Sequence, residues 1–102
     1  MERRIDVLDD EGEIFQRNGP QICRAKYHLE TWESTSDVGR ERSGPGFTAT
    51  RGRLDLPLAT LGRMMRIGAG LQLLLADGRW LDFGFTSSDG TIQGLGAIRG
   101  SR

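Results

Sequence analysis

Residues 70–90 read Gly-Leu-Gln-Leu-Leu-Leu-Ala-Asp-Gly-Arg-Trp-Leu-Asp-Phe-Gly-Phe-Thr-Ser-Ser-Asp-Gly. Two apolar runs flank Asp77-Gly78, and a second such pair, Asp89-Gly90, closes the unit. Asp-Gly between alternating runs predicts a hairpin, because a type I′ turn needs positive φ at both central positions and few residue pairs tolerate that. On the first arm Leu71, Leu73 and Leu75 share one face, and Gln72, Leu74 and Ala76 the other. On the second arm Leu81, Phe83 and Phe85 turn to the core, while Trp80, Asp82, Gly84 and Thr86 turn away. An arm apolar on both faces belongs in the middle of a sheet or under a covering element.

Upstream of the hairpin, Pro57 suits the start of a helix. Leu58, Leu61, Met64 and Met65 recur at spacings of three and four, which predicts one short amphipathic helix over 57–66. Downstream, residues 91–98 predict a last strand, with Gly94 and Gly96 leaving room for a bulky neighbour such as Trp80 or Phe83.

From Gln21 to Glu33 the period is two. Cys23, Ala25, Tyr27 and Leu29 fall on the inner face, with Arg24, Lys26, His28 and Glu30 on the outer. Trp32 then falls on the polar face unless a bulge near Glu30-Thr31 re-aims it. Residues 47–56 predict a further strand in which Gly52 marks a bend or bulge. Ile5, Val7 and Leu8 precede an acidic group and Gly12, a pattern that suits either a weak first hairpin turning at Gly12 or a frayed, solvated end. Asn18-Gly19-Pro20 then stops the chain.

The fold expected is all-β and mainly antiparallel: a small meander barrel or half-barrel of five to seven strands, with the helix closing one end. It forms a single domain over 1–102, with residues 1–20 as a weakly ordered edge and 34–46 as a long loop. At 102 residues one modest core is available, and 15 glycines favour turns over long helices.

Net charge is zero but unevenly divided. Residues 1–41 carry six Lys/Arg against ten Asp/Glu, and residues 42–102 eight against four. This −4 and +4 split favours pairing with a partner or a second copy. Arginine supplies every basic residue except Lys26, the mark of a GC-rich, bacterial gene. One cysteine, a charged opening stretch and no apolar run of membrane length give the expectation of a cytoplasmic protein.

No catalytic constellation emerges. Cys23 and His28 lie on opposite faces of one strand, so they cannot meet there. One histidine and one cysteine with scattered carboxylates make no zinc site. The cluster Asp9, Asp10, Glu11 and Glu13 reads as turn chemistry, and Asp82 shares the outward face with Trp80. No phosphate loop or dinucleotide fingerprint is present, so neither an enzyme nor a cofactor is expected.

Three surfaces are candidates for binding. Tyr27, Trp32 and Trp80 are candidates for lining an apolar ligand cavity. Arg24, Lys26, Arg51 and Arg53 form a basic patch for nucleic acid if their strands pair, with cross-strand salt pairing as the alternative. Leu74, Ala76 and Trp80 form an apolar outer face suited to self-association. The function expected is a non-catalytic binding or interaction module that associates with itself or another protein. A small-ligand barrel comes second and a nucleic-acid binder third.

Overall fold

A computed structural model of the chain describes residues 2–34, 47–68 and 70–102. Its elements are β1 (Glu2–Gln16), β2 (Gln21–Ser34), β3 (Phe47–Asp55), α1 (Leu58–Ile67), β4 (Leu71–Leu74), β5 (Trp80–Phe85) and β6 (Thr91–Gly94). The strands close into an antiparallel barrel in the order β1-β2-β3-β6-β5-β4. The expected small barrel with one short helix is therefore what forms.

The strand order departs from a simple meander. Two three-strand meanders, β1–β3 and β4–β6, are joined by α1, and they seal along two seams, β1 with β4 and β3 with β6. A hairpin between β3 and β4 would need a loop of a few residues. The ten residues of α1, rising about 15 Å, instead carry the chain across the barrel end. The helix sinks Leu61 and Met64 into the interior and leaves Leu58 and Met65 exposed. Only half of its predicted apolar face is therefore used. Gly68, at φ +82°, ends it by returning its N–H to the Met64 carbonyl at 3.3 Å.

The core follows the period-two reading. Ile14, Leu29, Leu71, Leu73, Leu81, Phe83 and Ile92 are at most 1% exposed, so the barrel is filled by its own side chains. Phe85 meets Phe83 edge to face, with ring centroids 5.7 Å apart. Gly94 makes room for Leu81, whose Cδ1 would lie 2.9 Å from an added Cβ, rather than for an aromatic ring. Its strand stops at Gly94. Leu95 N–H still bonds the Asp82 carbonyl at 2.7 Å, after which the chain leaves the sheet and touches it again through a bridge between Arg99 and Trp80.

The hairpin at Asp77-Gly78 is present, with a different turn. Only Gly78 has positive φ (+93°), and its N–H bonds the Leu75 carbonyl at 2.9 Å while Leu75 N–H bonds Arg79 at 2.8 Å. This is a type I turn closed by a left-handed glycine, the three-residue hairpin connection. Asp77 fixes it by accepting from the Arg79 N–H at 3.0 Å and Nε at 2.8 Å.

The predicted turn at Gly12 is corrected: β1 runs unbroken through it, paired with β2 along its length. A Cβ there would overlap the Leu74 carbonyl oxygen, so the glycine serves close approach of β1 and β4. At the end of the ribbon near Trp32 the bulge lies at Ile5 on β1 and not at Glu30-Thr31 on β2, and Trp32 faces outward opposite Arg4. Apart from Ser34, the long loop expected over 34–46 lies outside the described residues.

Beyond the barrel, β1, β2 and β3 continue as a three-stranded ribbon, since β4 meets β1 only over Glu13–Gln16 and β6 meets β3 only over Arg51–Arg53. The outer edge of β1 is not an open template. Asp6 accepts the Val7 N–H at 2.9 Å and Asp10 the Glu11 N–H at 2.8 Å. Val7 and Glu11 share strand parity with Arg17, whose N–H points away from β2 to Gly70. Asp6, and Asp10 of the acidic cluster read as turn chemistry, therefore occupy two edge donors that an added strand would need, while Asp9, Glu11 and Glu13 pair with His28 and Arg24 on β2.

Candidate interaction surface on the barrel exterior

The side chains proposed to line a ligand cavity are held in three separate places. Tyr27 is a core residue, 6% exposed, whose hydroxyl accepts the Ala76 N–H at 3.1 Å. Burial pushes its phenol above the ordinary range. Trp32 lies on the outer face of the ribbon with the Arg51 guanidinium 4.9 Å from its ring centroid. Trp80 lies outward on β5, packed on Phe15 at 5.2 Å.

The register does bring the four predicted cations onto one face, but it sets three of them opposite acids and the fourth opposite His28. Arg24 stands opposite Glu13, Lys26 opposite Asp55, Arg53 opposite His28 and Arg51 opposite Glu30. Arg24 contacts Glu13 at 3.2 Å and Glu11 at 3.6 Å, and Arg4 reaches Glu30 at 3.6 Å. A shallow cleft of about 340 Å³ on this face is lined by Lys26, His28 and Arg53 but also by Asp9, Asp55 and Asp89. Its mixed charge suits cross-strand pairing better than a phosphate backbone.

Within this face His28 is clamped between two carboxylates, Nδ1 to Asp9 at 2.6 Å and Nε2 to Glu30 at 3.1 Å. Asp9 first, then Glu30, holds the imidazolium and raises its pKa above the ordinary 6.5. The group is raised on folding, so its contribution to stability is complete below the unfolded value and fades as pH climbs through the folded one. Ring-proton NMR is unambiguous with a single histidine. The expected midpoint lies above 6.5, and Asp9→Asn brings it down. A wild-type midpoint at or below 6.5 would refute the clamp.

Cys23 faces inward opposite Ile14 and is half-buried, and burial raises its thiol pKa. It is a packing residue. Among the described residues no group of three or more His, Cys, Asp and Glu side chains is arranged to hold a metal ion, and none of the helices is long and apolar enough to cross a membrane.

The third predicted surface carries the most organised chemistry. Ala76 is exposed, Leu74 and Trp80 are half-buried, and the Trp80 ring has a cover from its own chain. It is residue 102: the Arg102 guanidinium lies 4.9 Å from the Phe15 ring and 5.1 Å from that of Trp80. Arg102 also donates to Gln72 Oε1 at 3.0 Å, to the Gln16 carbonyl at 3.0 Å and to the Gly19 carbonyl at 2.9 Å. Gln72, only 4% exposed, is oriented by donating its amide to Asp82 at 3.0 Å. Asp82 in turn takes Arg99 at 3.0 Å and Arg17 at 3.7 Å. Nothing in the periodicity announced Phe15, Gln72, Arg99 or Arg102. The one available signal was Gln72, a lone polar residue in an apolar arm.

Compared with known proteins, the chain matches no family model, no curated protein and no solved structure. Nothing positive indicates catalysis.

Proposed function

We propose that the chain is a non-catalytic interaction module that binds a protein partner, a second copy included, with the outside of its barrel. The observation that carries this reading is the aromatic pair Phe15–Trp80 on the outer face, with Arg102 of the short segment that follows β6 lying over it. Three facts narrow the choice to that face. The interior is occupied by core side chains, the β1 edge has engaged donors, and the cationic face is interleaved with acids. Aromatic side chains beside arginine are the composition of interface centres.

Gel filtration with light scattering across a concentration series tests this reading alongside a tryptophan-emission screen. Mass rising with concentration, and no saturable response to fatty acids, nucleotides or short oligonucleotides, is the expected result. A monomer at every concentration that responds saturably to a fatty acid would replace the reading with a ligand-binding barrel. A salt-sensitive response to an oligonucleotide would replace it with nucleic-acid binding.

A further inference from the structure

The geometry points to the seat of Arg102 being an arginine-binding pocket, filled in cis by the segment that follows β6 and able to take an arginine from an extended segment of a protein partner. This inference rests on the external-binding reading above and names the chemistry that such a partner presents.

The pocket fits a guanidinium in every direction. Phe15 and Trp80 offer ring faces to the flat cation, and the acceptors around its edge are Gln72 Oε1 and the carbonyls of Gln16 and Gly19. A planar fork with five donors serves such a ring of acceptors, whereas an ammonium donates from a single point and stacks less well. The key acceptor is preformed. Gln72 is buried, and its amide nitrogen is engaged by Asp82, so its oxygen can only face outward to the guest. In an empty pocket that oxygen would pair with water, which a guanidinium must displace and replace.

The segment that carries Arg102 is held at few points, as an exchangeable guest would be. Its backbone meets the barrel at the Arg99–Trp80 pair, N–H to carbonyl at 2.7 and 2.8 Å in the two directions. Arg102 is then held by its side chain, and as a residue it stays exposed. The closed arrangement is also imperfect, because Arg99 Nε is buried with no acceptor among the described residues. A partner segment that supplied one would gain what this segment does not.

The test uses the full chain carrying Trp32→Phe, so that Trp80 is the reporter, with and without Arg102→Ala. Folding is first checked by far-ultraviolet circular dichroism. The probe is a blocked peptide copying residues 98–102, Ile-Arg-Gly-Ser-Arg. Vacating the pocket is expected to shift Trp80 emission to the red, and the peptide to restore it saturably. The intact chain, with its internal competitor, is expected to bind the peptide at least tenfold more weakly. The same peptide with lysine in place of its last arginine restores nothing. If Arg102→Ala fails to fold, Arg102→Lys serves as the vacated form. Absence of a saturable response in the vacated form, or equal restoration by the lysine peptide, overturns the pocket. Self-association that persists in such a case would leave the external-binding reading standing, with Arg102 a clamp only.

Discussion

Gly52→Ala is expected to cost about 3 kcal/mol or more, enough to threaten a domain whose whole stability is about 5–15 kcal/mol. Gly52 sits where β3 crosses between Leu29 and Ile92. A methyl group there overlaps the His28 carbonyl oxygen and stands 2.9 Å from Leu29 Cα. Both obstacles are backbone, so no rotamer change relieves them, and β2 must move away from β3 in the middle of its pairing. Gly62→Ala is the control: it lies inside α1 with nothing within 4 Å of its added carbon. That change is expected to stabilise by about 0.5–1 kcal/mol through helix propensity. Urea unfolding of both variants decides the matter, and a Gly52→Ala midpoint equal to wild type would refute the close approach of β2 and β3.

Phe83→Ala is expected to lose about 3–5 kcal/mol, the range for deleting a buried aromatic from a packed core. Phe83 is fully buried, opposite Leu71 on β4 and Gly94 on β6, and it gives its ring to Phe85. Truncation therefore removes contacts on three sides of the barrel at once. Gly94 has no side chain to fall into the space, so little of the cavity can be recovered. Phe83→Leu keeps most of the volume and is expected to lose less than half as much. The measurement is again the urea midpoint, with an unchanged slope showing that the folded state has not loosened.

Alternation carried most of the fold. Period alone puts Leu81 and Phe83 inward and groups Leu71, Leu73 and Leu75 on one face, and all five are buried. Reading failed where residues answered to a neighbour distant in the chain. Asp6 and Asp10 broke the pattern of β1 because they bind the strand's own edge donors, and Gly12 mimicked a turn because β4 passes close by. The turn type at Asp77-Gly78 was misread because Asp-Gly also suits a connection in which only the glycine takes positive φ. The seams β1–β4 and β3–β6 have no local signal at all. The outer pocket was the least legible part, since its walls come from Phe15, Gln72 and Trp80 on three strands and its guest from residues 99–102, which carry no period.

The two seams also set the order of assembly. The β1–β2 and β4–β5 hairpins join residues near in sequence, while the closing pairs join Glu13 to Leu74 and Arg51 to Gln93. Bringing such distant segments together loses chain entropy before any contact repays it, and non-local pairing is what slows folding in small β domains. The halves are expected to form first as open three-stranded sheets, with α1 the tether that keeps the second within reach of the first. Shutting the cylinder is then the expected slow step in refolding, and a chain caught before it would offer unsatisfied strands at both seams to any neighbouring chain.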